Sequence, residues 1–156
     1  MKENGMKLRA ASVAVFVLFT ACSISADADR KYLVLPRPAE FKGVPFSDGV
    51  LVGEVLYVGG HVGIDPKTGK AGITAEEDAQ FALDGVKQTL EAAGMAMDDL
   101  VSVQIFCTSA ADYAIFNSVY RKYFHGDYPA RTFVQAGKIL GESRFEVQGI
   151  AVRRTK

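Results

Sequence analysis

Two side chains have the types and settings for carboxylate binding and acid–base work: Arg131, in Tyr128–Pro129–Ala130–Arg131–Thr132, and Glu146, in the stretch 144–152. Proline fixes its own φ and presses its predecessor toward extended geometry, so Pro129 makes a stiff support for the arginine behind it. A guanidinium held that way grips a carboxylate through two parallel hydrogen bonds, which a flexible lysine matches poorly. On the pentapeptide alone, an ordinary surface ion pair is the commoner outcome. In 144–152, Glu146 and Gln148 alternate with Phe145 and Val147, so the two polar groups share one face of a strand. By itself that is more often a solvated face. Only if both faces line one cleft do a guanidinium and a carboxylate converge on a small molecule.

Other candidates are weaker. Gly63 to Lys70 has the look of a phosphate-binding loop, but five residues separate Gly63 from Gly69 and Ala71 takes the hydroxyl position, so a turn is expected. His61 and His125 are the only histidines, and neither has a cysteine or carboxylate at ligand spacing, which argues against a dedicated metal site. Ser109 is better placed to cap a helix than to act as a nucleophile, since no His/Asp pair is evident to activate it. Cys107 falls on the apolar parity of its strand and is expected to be a buried thiol.

The chain has 156 residues, one domain by length. Its start reads as an export signal. Lys2, Lys7 and Arg9 precede the apolar run Ala10–Phe19, which is too short to span a bilayer, where about 20 apolar residues are needed. Ala26–Asp27–Ala28 fits a small-x-small cleavage site, and Phe19–Thr20–Ala21–Cys22 offers a lipoprotein box as the alternative. Residues 1–28 are therefore expected to be a signal peptide or lipoprotein leader, and 29–156 the working domain. The expected place is periplasmic or extracellular, with membrane attachment only if Cys22 is lipidated. Cys107 would then have no partner in its own chain, so no disulfide framework is expected and packing must hold the fold.

Lys+Arg and Asp+Glu balance at 18 each. Losing everything before Asp27 would remove Lys2, Lys7, Arg9 and Glu3, tipping the balance slightly acidic. With no basic run or basic-aromatic patch, nucleic acid is disfavoured as the main partner. Roughly 130 residues remain, enough for a sound core, although domains this small often build their pockets between subunits.

The elements that must position these groups follow from periodicity. Tyr32–Leu35 reads as a short strand, and 50–52 with 55–58 as a hairpin across Gly53–Glu54. Asp65–Gly69 is a turn. Thr74 and Glu77 form a capping box, after which Ala79, Ala82, Val86, Leu90 and Ala93 mark one helical stripe, stopped by Gly94. Val101, Val103, Ile105 and Cys107 alternate with polar neighbours as a half-buried strand does. Ser109–Asp112 caps a second helix expected to bury Phe116, Val119, Tyr120, Tyr123 and Phe124, and two strands, 132–136 and 144–152, close the chain. The order β-β-β-α-β-α-β-β gives one α+β domain, two helices on one face of a sheet.

From about Pro45 onward the chain resembles the reactive intermediate deaminase (RidA/YjgF) family. The likeness rests on Pro45–Phe46–Ser47, Gly60 to Gly69, Ala92–Ala93–Gly94, Asn117 with Tyr120, Tyr128–Pro129–Ala130–Arg131, and Glu146 with Ile150 to Arg154, separated motifs in one order. The resemblance implies a mixed sheet backed by two helices, similar to chorismate mutase of the bacillus type, with the last strand inserted between the third and fourth. It also implies a homotrimer with a pocket at each subunit interface. Hydrolysis of 2-imino acids and their enamine tautomers to 2-oxo acids and ammonia is the implied activity, with Arg131 holding the carboxylate and Glu146 handling the attacking water. Phe46, Gly60, Asn117 and Phe133 fall at pocket positions. Phe133 stands where well-known members have cysteine, Gly59 for serine, His61 for glutamine and Phe46 for tyrosine, which makes the expected pocket more apolar. Neither metal nor organic cofactor is expected. A trimer that binds small carboxylates without turnover is the alternative.

Overall fold

A computed structural model describes residues 29–37 and 43–154. Six strands, β1 (Arg30–Leu33), β2 (Gly49–Val52), β3 (Val55–Val62), β4 (Leu100–Cys107), β5 (Ala130–Gln135) and β6 (Phe145–Val152), and two helices, α1 (Ala75–Ala92) and α2 (Tyr113–Tyr120), make up the domain. They form one mixed sheet in the order β1-β2-β3-β6-β4-β5. The last strand runs antiparallel between β3 and β4, as the family resemblance implied, and β4 pairs parallel with β5. No local periodicity could have supplied that insertion, because it is a long-range pairing.

Local chemistry explains the helix ends. The Thr74 hydroxyl accepts from the Glu77 amide at 3.1 Å while the Glu77 carboxylate accepts from the Thr74 amide at 3.2 Å, completing the capping box. Gly94, at φ 68°, lets the chain reverse so that the Met95 amide can donate to Leu90 at 2.9 Å. Ser109 accepts from the Ala111 amide and starts a short 3₁₀ turn that runs into α2.

Several strand boundaries differ from expectation, and β3 runs on to Val62 rather than ending at Val58. β1 lies two residues earlier than 32–35, because the Asp48 carboxylate captures the Leu35 amide at 2.7 Å and draws the chain off the ladder. β5 begins at Ala130 rather than Thr132, so Arg131 sits inside the strand, opposite Val103, and not at its mouth.

Directly opposed residues in neighbouring strands share a face. Val103, Gly149 and Arg131 line up, as do Ile105, Val147 and Phe133, and these rows face the helices over a core containing Leu56, Leu83, Leu90, Phe116 and Phe145. The alternate rows, Gln104 with Gln148 and Thr132, and Phe106 with Glu146 and Val134, fall on the other face. No described helix covers that face, and Tyr57, Val134 and Ile150 on it are 51%, 43% and 37% exposed.

Asp78 fastens the first helix to the last strand. Fully buried, its carboxylate accepts from the Arg144 amide at 2.9 Å and the Phe145 amide at 3.0 Å. Gly63 and Gly72 crowd against it so closely that a β-carbon at either would collide with Asp78 atoms. Burial, the dominant influence, pushes the Asp78 carboxyl above the usual carboxylate range, and the two amides partly counter it. Asp78→Ala is expected to leave both amides unpaired and to cost about 1–3 kcal/mol for each in urea unfolding. A loss below 1 kcal/mol would show that the clamp contributes little.

Candidate functional site

Arg131 lies half-buried on the helix side of β5, where α2 and the approach to Pro129 wall a cavity of about 270 Å³. Tyr113, Asn117, Tyr120, Arg121, Tyr128 and Pro129 line it with Arg131. The guanidinium carbon sits 4.9 Å from the Tyr120 ring centroid and 5.6 Å from that of Tyr113, and Nη2 donates to the Tyr113 hydroxyl at 3.3 Å. Aromatic faces attract such a cation and hold it without consuming its in-plane donors. Every ion pair among the described residues involves other cations, so Arg131 has no carboxylate partner there. An unpaired guanidinium lodged against tyrosines is equipped to receive an anion.

Phe133, two residues along the same face, is half-buried and meets Tyr113 edge-on at 5.0 Å and Phe116 at 5.6 Å. It backs Tyr113, one wall of that cavity, with hydrocarbon. Burial pushes the Tyr120 phenol up to about 12, so it stays neutral beside Arg131, and its hydroxyl has no hydrogen-bond partner among the described residues. For Tyr113 the direction is opposite: the Asn117 side chain, and then the positive charge of Arg131, hold its phenol below the usual tyrosine range.

Glu146 is elsewhere. It stands on the helix-free face, in line with Val62 of β3 and Phe106 of β4, and its side chain packs directly against Gly60, where a β-carbon would strike the carboxylate. The ladder between β3 and β6 shifts register between Val58 and His61, and Gly60 lies within this irregular stretch. Gly60 and Phe46 also line a larger cavity of about 620 Å³, together with His61, Arg37 and Asp48. There the Arg37 guanidinium covers the Phe46 ring at 4.6 Å and pairs with Asp48 at 2.7 Å.

Within one chain, the expected site residues therefore fall into two groups. Arg131 and Asn117 line the smaller cavity, with Phe133 against Tyr113; Phe46 and Gly60 line the larger one, Glu146 touches Gly60 without lining it, and the sheet separates Arg131 from Glu146. A cleft shared by those two within one protomer is ruled out by strand parity. Tyr113 and Tyr128 escaped notice as site residues. Tyr113 stands seven residues before Tyr120, a helical spacing that reads as packing, and only its place opposite Arg131 distinguishes it.

His61 replaces what the family resemblance expects to be glutamine, and it is held. The Thr89 hydroxyl lies 2.9 Å from His61 Nε2 and 3.0 Å from the Gly85 carbonyl, which ties the imidazole to α1. Burial, outweighing the opposing pull of Asp48, keeps its proton affinity below the ordinary histidine value.

The model of the family described as Endoribonuclease L-PSP matches residues 39–153. The chain belongs to that family. This bears out the RidA/YjgF resemblance. A RutC family protein of Saccharolobus solfataricus is 38% identical over 108 residues, covering 69% of this chain and 86% of the relative. The 2-iminobutanoate/2-iminopropanoate deaminase of Escherichia coli is 32% identical over 113 residues, covering 70% and 88%. Among solved structures, Escherichia coli TdcF with bound serine superposes with a TM-score of 0.72 at 28% identity, covering 80% of this chain and all of that one.

The relatives correct one expectation. Each is matched over 86% or more of its own length by the shared domain, so the kinship is with proteins made almost wholly of that domain, and it overturns the expected signal peptide and secretion. Residues 1–28, including the lipidation site considered at Cys22, lie outside the described residues.

The unfolded chain protonates His61 near its ordinary value of 6.5, whereas the folded chain resists until lower pH. The unfolded state thus binds more protons below that value, and native stability present above it declines as pH falls from 7 toward 5. His61→Gln, which can still reach Thr89, is expected to flatten this decline in urea titrations at pH 7, 6 and 5. An unchanged slope would assign it to other groups.

Proposed function

We propose that the protein hydrolyses 2-imino acids and their enamine tautomers to 2-oxo acids and ammonia, at sites built between copies of the chain. The observation that carries this reading is the Arg131 guanidinium, stacked on Tyr120 and free of any carboxylate among the described residues, in a cavity of about 270 Å³. The name of the 2-iminobutanoate/2-iminopropanoate deaminase supports the reaction class, and the serine bound to TdcF supports recognition of a small amino-acid-like carboxylate.

Arg131 would fix the substrate carboxylate and draw electron density from the adjacent C=N carbon, a charge-assisted contact worth about 1.5–3 kcal/mol. Glu146 would orient water and take its proton as the oxygen adds to that carbon, which typically contributes about 10²–10⁴-fold in rate. The carbinolamine, once its nitrogen is protonated, expels ammonia and leaves the 2-oxo acid. Imines hydrolyse in water unaided, so modest assistance suffices.

Because the two groups occupy opposite faces of one sheet, a second protomer must bring its Glu146 to the first protomer's Arg131. The helix-free face, with Tyr57, Val134 and Ile150 exposed, favours such association, and the family resemblance points to a trimer. A nuclease reading, carried by the family model's description, finds no support in a chain whose 18 basic and 18 acidic residues balance.

Mixing two inactive variants tests the arrangement. Arg131→Ala and Glu146→Gln should each lack 2-iminopropanoate deaminase activity, while Glu146→Gln still binds carboxylates. Co-refolding the two in equal amounts should restore about a quarter of the wild-type rate, because random assembly pairs an intact arginine with an intact glutamate at that frequency. No recovery in demonstrably mixed oligomers would rule out a site split between protomers. Full turnover by Glu146→Gln alone would refute the water-handling role given to that residue.

A further inference from the structure

Tyr113 has a constellation of contacts that ordinary packing does not require. It is the first residue of α2 and is 48% exposed, yet its hydroxyl lies 3.3 Å from Arg131 Nη2 and its ring lies edge-on to Phe133 at an interplanar angle of 89°. A phenol oxygen accepts hydrogen bonds and donates one. Tyr113 accepts from Arg131, and the Asn117 side chain influences the same oxygen, so its own proton remains to be given to whatever the guanidinium holds.

Its mounting is also fixed from both sides. The 3₁₀ turn before α2 is capped by Ser109, and the Ala110 amide donates to the Gln135 side chain at 3.3 Å. The Ala136 amide donates to Cys107 at 2.8 Å, so the end of β5 is tied to the same corner. The tyrosine and the arginine therefore belong to one rigid frame, though 18 positions apart in sequence.

We propose that Tyr113 is a positioning residue for carboxylate recognition: it orients the Arg131 fork by accepting from Nη2 and offers its hydroxyl proton to the bound carboxylate. This rests on Arg131 being the carboxylate anchor. The lowered proton affinity of the phenol, due first to the Asn117 side chain and then to the Arg131 charge, is in keeping with a hydroxyl polarised to donate. The aromatic ring supplies packing, and the hydroxyl supplies alignment.

Tyr113→Phe separates the two, because it keeps the ring against Phe133 and removes only the oxygen. With 2-iminopropanoate generated in place, KM is expected to rise about three- to tenfold while kcat stays within about twofold. The Kd for 2-oxopropanoate, read by calorimetry, should rise in parallel, with no change in thermal midpoint. Arg131→Ala serves as the reference. If Arg131→Ala abolishes binding and Tyr113→Phe matches wild type in KM and Kd, the tyrosine has no such role and the arginine keeps its own. If Arg131→Ala also binds and turns over normally, the anchor reading and this one fall together. A Tyr113→Phe protein with a lowered thermal midpoint and unchanged KM would mark the hydroxyl as structural and overturn the proposal.

Discussion

The alternation of side chains across a β-sheet governs what this molecule can do. Once β6 is paired with β4 and β4 with β5, the direction of every side chain in those strands is fixed, and a shift by one residue would exchange the faces entirely. Phe145 and Val147 must enter the core, so Glu146 must point away from it. Phe133 must reach Phe116, so Arg131 must lie on the helix side. No loop movement can bring the two charges together without breaking the core. The separation is therefore a property of the fold, and any chemistry needing both groups needs more than one chain.

The sheet also explains why the two regions have different characters. Around Arg131 the walls are tyrosines and a phenylalanine delivered by α2 and the corner at Pro129, which steady a cation while leaving its hydrogen-bonding edge open. Around Glu146 the neighbour is backbone, since Gly60 has no side chain to hold it at a distance. The first arrangement suits recognition of an anion. The second places a carboxylate against an irregular strand on a face that water or another subunit can reach.

Much of this was legible in the residues, and the failures have physical causes. Thr74, Glu77 and Gly94 announced α1 because caps are local, and the alternation from Val101 to Cys107 announced β4 because pleating is local. The start of β5 was misjudged by two positions because pairing with β4, a long-range event, extends the ladder back to Ala130. The early end of β1 depended on a carboxylate 13 positions away. Arg131 and Glu146 were identified singly, but their placement on opposite faces required registers that no strand carries within itself. Tyr113 went unremarked because helical spacing cannot tell a ring that fills space from one whose hydroxyl meets a guanidinium.

The central position of β6 has a consequence for synthesis. Its residues emerge from the ribosome last, yet they join β3 to β4, and Asp78 cannot satisfy its carboxylate until Arg144 and Phe145 arrive. Until then the nascent chain holds two strips of sheet with open edges and a helix whose buried acid has no amides to meet. Such long-range closure slows folding and leaves sticky edges exposed in the meantime. A chain ending before Phe145 would thus keep two unjoined strips of sheet on one polypeptide, without the strand that makes them a single body.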